Sequence, residues 1–338
     1  MNRIPVRAGL IALATGLLVA LATGCGSSDD STAASSDAKT LNFQITDAGC
    51  DPHDVKAPAG PINFEVEGAS SSVTELEVLD GETILGEKEN LTEGLTGSFS
   101  LTLEEGEYIL RCNGASDEDG TLSVSGKLQA ETSPEVEAAI AQYREYLETN
   151  TDELIAETEP FVAAVVAGEV EEAKTLYAAA RIPYERIEPV AESFGDLDPR
   201  IDARANDVAP NEFEGFHRIE KALWEENTAA GMAPVAKGLL ADVEELAAKV
   251  KTVELQAVQI ANGANELLGE VSASKITGEE ERYSHIDLVD FEGNVEGSEA
   301  AFEAVKPLLE DPELVKEIET KFDDVYASLK PYDEGDGF

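Results

Sequence analysis

The chain has 338 residues, and its 70 Asp and Glu against 24 Lys and Arg leave a formal net charge of -46. A duplex nucleic-acid binder needs a basic surface that displaces counterions, so that class of function is excluded. With 42% hydrophobic residues, 27 Gly and 14 Pro, most of the chain is expected to fold, and its length allows two domains with cores of their own. The acids are spread evenly: residues 41–130 carry 18 against 4 bases, and residues 131–338 carry 49 against 17. Such evenness reads first as a solvated coat and only second as a cation-collecting field.

Residues 1–24 read as a secretory address. Arg3 and Arg7 precede an uncharged run from Ala8 to Gly24, rich in Leu and Ala, that ends in Ala22-Thr23-Gly24-Cys25. A basic start, a short apolar stretch and small residues before a cut mark a signal peptide, and the run is barely long enough to span a bilayer. The placement of Cys25 resembles a bacterial lipobox, in which that thiol is acylated and becomes the first mature residue; an ordinary signal peptide cut nearby is the alternative. Residues 25–40, mostly Ser, Ala, Asp and Thr, read as a flexible tether.

From Leu41 the hydrophobic period is near two. Leu41, Phe43 and Ile45 alternate with polar residues, as do Ile62, Phe64 and Val66, and similar runs follow at 73–79, 98–103, 108–112 and 121–124. Six or so short strands separated by turns such as Asp80-Gly81 and Glu105-Gly106 predict an antiparallel β-sandwich over residues 41–130. After Ser133-Pro134-Glu135, an N-cap, a first-turn proline and an acid, the period becomes helical. Gly168, Pro183, Pro189, Gly231, Gly263 and Pro312 divide residues 131–338 into six to eight helices, which predicts an all-α bundle and an α+β multidomain chain.

Three histidines make their settings informative. His217 precedes Glu220 by three positions, so on a helix the two side chains share a face and can grip one cation. Glu185 and Glu188 form a second pair at the same spacing, and Asp196, Asp198 and Asp202 follow in a turn-like segment. Arg181, Arg186, Arg200, Arg204 and Arg218 crowd into this stretch of a base-poor protein. They read either as partners that orient the carboxylates or as plain surface ion pairs. A His-Glu-x-x-His peptidase site is not written here, a paired Glu-x-x-His di-iron site is not either, and no Ser or Cys has a positioned His nearby. An oxygen-rich site remains, which favours a hard or borderline cation such as iron, manganese or calcium over copper(I) or a structural zinc.

Several longer stretches carry a resemblance. They are residues 183–189 (PYERIEP), 192–198 (ESFGDLD), 201–204 (IDAR), 215–220 (GFHRIE) and 283–288 (YSHIDL), in that order. Across residues 41–332 the chain resembles the EfeM/EfeO family of bacterial iron-uptake components, within the imelysin or M75 peptidase-like group. The resemblance implies an imelysin-type bundle that binds iron(II) or iron(III) outside the cytoplasm. The iron would pass to a membrane permease, alongside a Dyp-type haem peroxidase. It implies a metal site at Glu185, Glu188, Asp202, His217, Glu220 and Asp287, with Asp290 one turn further on offering the same group.

The resemblance also implies a cupredoxin-like sandwich, in which Cys50 and Cys112 match the family's cysteines and Glu75 matches an acidic position implicated in metal binding. This sandwich has one histidine, His53, no Met, and Leu110 where relatives can show Met, so type 1 copper is not expected. Cys50 and Cys112 form either a disulfide, with Cys25 taken by lipid, or part of a second site for copper or zinc, or they switch between the two. The functional readings are a lipid-anchored iron carrier, a metal-dependent enzyme (ferroxidase or M75-type peptidase), and a surface adhesion or polysaccharide-binding lipoprotein.

Overall fold

Alternation of apolar and polar residues builds the N-terminal half. In the computed structural model, which describes residues 38–332 apart from 82, 129–132 and 274, nine strands form two stacked sheets. They are β1 Lys39–Thr46, β2 Gly49–Asp51, β3 Asp54–Pro58, β4 Gly60–Gly68, β5 Thr74–Asp80, β6 Thr83–Leu91, β7 Thr96–Leu103, β8 Gly106–Asn113 and β9 Asp119–Ser125. One sheet has the order β2-β1-β4-β7 and the other β3-β9-β8-β5-β6. The inward residues of both, among them Phe43, Phe64, Leu76, Phe99 and Leu122, make one core, with Phe64 and Phe99 stacked at 4.7 Å between ring centroids.

The sandwich stands as the sequence predicts, with two differences. It is mixed, not wholly antiparallel, because β1 pairs with β4 and β3 with β9 in parallel. It also has three strands that the alternation does not announce. β2 is only three residues long, β3 is mostly exposed, and β6 (TILGEKENL) is polar along much of its length. The first strand begins at Lys39, inside the segment read as tether; the address 1–24 and Cys25 lie outside the described residues.

Eight α-helices follow: α1 Pro134–Ala167, α2 Val170–Ile187, α3 Leu197–Asp202, α4 Gly215–Trp224, α5 Ala233–Val250, α6 Ala257–Ala273, α7 Asp287–Val305 and α8 Pro312–Leu329. Ser133 caps α1, its hydroxyl accepting from Val136 N at 3.2 Å, and Gly168 ends it in the left-handed region at φ 78°. Pro312 opens α8, but Pro183 and Gly263 do not break their helices. The core runs through Tyr143, Leu147, Phe161, Tyr177, Tyr184, Phe216 and Leu239, and α1, α2, α4, α5 and α7 all contribute to it. Among the described residues no helix is long and apolar enough to cross a membrane.

Gly263 is glycine for a steric reason. A Cβ there would fall on the carbonyl oxygen of Pro189, in the 3-10 turn Glu188–Phe194 that crosses α6. Gly263→Ala is expected to lower stability by about 1–3 kcal/mol, the usual cost of overpacking against backbone. The shift in thermal midpoint of the full chain checks it.

The two halves meet through α6. The Gln256 amide bonds both backbone groups of Thr102, donating to its carbonyl at 2.9 Å and accepting from its N–H at 3.3 Å. Gln259 donates to Leu85 O at 2.9 Å and Asn262 to Ser100 O at 2.6 Å. Gln256, just before α6, and Gln259 and Asn262 within it, spaced three apart, thus reach β7, β6 and β7 in turn. Glu266 completes the seam, pairing with Lys88 and accepting from Glu89 N.

Candidate metal centre

Five helical elements and one loop deliver acids to one place. Arg181 and Glu185 lie one turn apart on α2, Glu188 opens the 3-10 turn that follows, and Asp202 ends α3. His217 and Glu220 share a face of α4, Glu280 and Glu281 come from the loop before α7, and Asp290 and Asn294 lie one turn apart on α7. Gly293 and Gly297 let α7 approach α2 closely, since a Cβ on either would meet Glu185 or the Arg186 backbone.

His217 is 1% exposed and its ring is held from one side. Nδ1 lies 3.2 Å from Glu220 Oε2, while Glu220 Oε1 accepts from the backbone N–H of Tyr283 at 2.8 Å and of Ser284 at 2.7 Å. A carboxylate so fixed orients the imidazole and leaves Nε2 free to act. Nε2 is a buried atom with no hydrogen-bond partner, 3.5 Å from Asp202 Oδ1 and 3.7 Å from Glu280 Oε1. Asp202, His217 and Glu280 can therefore offer one ligand atom each to a single ion. His217, Glu220 and Glu281 form a second such group, but Glu220 is already engaged by two N–H donors.

Charge around this centre is lopsided. Arg181, 0% exposed, is paired with Asp202 and Glu185 and lies 3.1 Å from Glu281 and 3.3 Å from Asp290, with its guanidinium 5.2 Å from the Phe216 ring centroid. Lys275 is paired with Glu188, and Arg204 reaches Glu280 at 2.9 Å. Seven carboxylates, those of Glu185, Glu188, Asp202, Glu220, Glu280, Glu281 and Asp290, thus face Arg181, Lys275, Arg204 and His217.

Burial and neighbouring charge shift these groups in opposite directions. Burial pushes the Asp290 carboxyl up to about 6 against the pull of Arg181, and burial with Asp290 alongside holds Glu281 well above the usual range. Burial opposes ionisation of Glu280 too, yet Lys275, His217 and Arg204 together carry it well below that range. Burial likewise disfavours the His217 imidazolium, but Asp202, Glu220 and Glu280 raise its pKa well above the ordinary value. The centre thus sets acids raised by burial beside acids lowered by the basic groups around them.

The residues expected from the sequence fall into distinct places. His217 and Asp202 meet at the His217 Nε2 corner, and Glu220 sits behind the ring. Glu185 and Glu188 stand beside Lys275, and both accept from Asn294 Nδ2. Asp287 does not join them: its Oδ1 accepts from the Glu281 backbone N–H at 3.1 Å, and Asp290 faces Arg181 in its stead. Of the five clustered arginines, Arg181 and Arg204 orient these acids, whereas Arg186, Arg200 and Arg218 make half-exposed pairs elsewhere.

In the sandwich, Cys50 and Cys112 are joined as a disulfide with Cα atoms 5.6 Å apart. Cys112 is opposite Leu76 in the β5–β8 register and so faces the core. Glu75 is opposite Asn113 and points to the other face, toward Glu77. The three residues do not converge. Glu280, Glu281, Lys275 and Asn294 went unread in the sequence. The run 279–282 (EEER) looks like a solvated charge patch, and only Asp290 and Asn294, one turn apart on a helix face, carried a usable signal.

A cavity of about 240 Å³ opens between β6 and the helices, with Glu89, Glu188, Asp202, Glu270, Lys275 and Glu280 in its wall. Burial pushes Glu89 up to about 8, with Glu270, Glu75 and Glu266 adding to it. Both residues whose carboxylates stand near His217 Nε2, Asp202 and Glu280, thus line this cavity.

The model of the imelysin family (peptidase M75) matches residues 139–337, and that of the cupredoxin-like domain matches residues 14–124. The iron uptake system component EfeO of Escherichia coli strain K12 is 38% identical over 313 residues, covering 89% of this chain and 84% of that one. EfeO of Shigella flexneri matches equally, at 38% over the same shares. Among solved structures, a purple cupredoxin from Nitrosopumilus maritimus is 18% identical over 25% of this chain and 98% of its own, with a TM-score of 0.22.

Proposed function

The chain belongs to the EfeO family of iron uptake components, with a cupredoxin-like and an imelysin domain, and from that premise we propose that its helical half binds iron and hands it on. The observation that carries this reading is His217 Nε2, buried, without a hydrogen-bond partner and set between Asp202 and Glu280 at the cavity wall. One nitrogen and two carboxylate oxygens suit iron in either oxidation state, with copper or zinc as competitors. Three protein atoms leave coordination positions free, which suits capture followed by release. Glu220 orients the histidine, and Glu185, Glu188 and Asp290 supply the surrounding negative charge.

The role proposed is that of a carrier, not an enzyme. Among the described residues, His53 pairs with Asp54 and Asp117 on the surface, His217 lies among carboxylates and His285 is exposed, and none of the three has a hydrogen bond to a Ser or Cys side chain. The iron would pass to a membrane permease, with a Dyp-type haem peroxidase as a further partner. Cys25, acylated, would anchor the mature chain outside the cytoplasm through the tether.

Competitive titration with iron(II) under anaerobic conditions and with chelated iron(III) tests the centre. His217→Ala and Glu280→Gln are each expected to weaken binding at least about tenfold, the scale on which ligand-shell changes act. Asp287→Asn is expected to leave the curve in place. Unchanged curves for both His217→Ala and Glu280→Gln would overturn the assignment.

A further inference from the structure

The Glu185–Glu188 corner of the centre already holds a cation, and the protein supplies it. Lys275 is 1% exposed, and its Nζ pairs with Glu188 Oε1 and lies 3.7 Å from Glu280 Oε2 and 3.9 Å from Glu185 Oε2. Among the described residues, all the ion pairs and hydrogen bonds of this ammonium go to carboxylates. It also lines the cavity.

Two observations separate it from Arg181, another buried cation. Arg181 projects from the middle of α2, stacks on Phe216 and is held by carboxylates on several sides, so it is part of the frame. Lys275 stands on the single 3-10 turn Lys275–Thr277. Its neighbour Ile276 is 66% exposed, and Gly278 follows at φ 79° with open space where a Cβ would be. An ammonium is a compact point charge on a flexible four-carbon stem, and this one is mounted on a short turn between an exposed neighbour and an open glycine.

The acids it holds do not depend on it alone. Asn294, 0% exposed, donates to Glu185 Oε2 at 2.9 Å and to Glu188 Oε2, while its own Oδ1 is buried with no hydrogen-bond partner. Glu280 is shared: Oε1 faces His217 Nε2 at 3.7 Å and Oε2 faces Lys275. A cation at His217 and the ammonium at Glu188 therefore draw on the same carboxylate from opposite sides.

We propose that Lys275 is an internal competitor of the cargo: its ammonium fills the Glu185–Glu188–Glu280 corner of the unloaded protein and is displaced as the cation enters. This rests on the reading of the helical half as a cation site. Net affinity is then the difference between two cations for one set of acids, and the return of Lys275 helps expel the cargo at delivery.

The test has two arms on the full mature chain. In the first, amine acetylation of the wild type is followed at Lys275 by peptide mass spectrometry, with and without saturating iron(II) under anaerobic conditions. Lys275 is expected to be protected in the unloaded protein and modified at least about tenfold faster when loaded, as a side chain leaving a protected position would be. In the second, Lys275→Met is expected to bind iron(II) at least about tenfold more tightly, a difference of about 1.4 kcal/mol. Lys275→Arg, which keeps the charge, is expected to show no such gain. Equal protection of Lys275 in both states, or Lys275→Met binding as the wild type or more weakly, overturns the proposal while leaving the cation site intact. A wild type that takes up no iron defeats the functional reading itself.

Discussion

Arg181→Met is expected to lower the stability of the helical half by about 3–5 kcal/mol, the usual cost of removing one partner from a buried charge cluster. The side chain is fully buried, and Asp202, Glu185, Asp290 and Glu281 all lie against its guanidinium. Without it these acids face one another in a medium that screens poorly, and each must take up a proton or leave the interior. Urea denaturation followed by far-ultraviolet circular dichroism reads the effect as a shift in midpoint. Arg186→Met is the control, because Arg186 pairs with Glu296 and Glu153 at the half-exposed surface, where such pairs contribute at most about 1 kcal/mol. Equal shifts for the two variants would mean that Arg181 is not the keystone of the cluster. Added cation should also raise the midpoint of Arg181→Met more than that of wild type, since binding stabilises the folded state and the variant's acids lack their internal cation.

The second large effect belongs to the sandwich. Cys50→Ala with Cys112→Ala is expected to cost about 4 kcal/mol, because the bond closes a loop across a sequence separation of 62 residues. The half-cystines are 5% and 0% exposed, and they join β2 of one sheet to β8 of the other, so the bond ties the two layers together through the core. Thermal melting of the double variant, and of wild type in reductant, should give the same lowered midpoint. A loss below about 1 kcal/mol would show that sheet packing alone fixes the layers. Iron titration of the helical half is expected to be unaffected, since Glu75 and the disulfide lie on opposite faces of their sheet.

What the sequence disclosed follows from which physical signals are local. Strands with one face in the core announce themselves by alternation, as β1 and β4 do, and α1 by its Ser133 cap and Pro134. β6 is silent because its polar side chains serve a seam with α6, which no period encodes. The same holds within the centre. His217 and Glu220, or Glu185 and Glu188, are near neighbours on one chain segment and can be paired by spacing. The link from Glu280 to His217 spans a loop and a change of element, so nothing in residues 279–282 distinguishes an inward acid from a solvated one. Asp287 and Asp290 differ by less than a helical turn, and only the packing of α7 on α2 through Gly293 decides that Asp290 turns toward Arg181.

The seam between the halves has a consequence for the sandwich as a solitary object. β7 is the terminal strand of one sheet and β6 of the other, and both are met by the same segment, residues 256–262. The amides of Gln256, Gln259 and Asn262 occupy the backbone groups of Thr102, Leu85 and Ser100, which a free edge would offer to any passing strand. The helical half therefore acts as a guard for its neighbour, and a sandwich cut loose from it would carry two unprotected selvedges prone to pair with other copies.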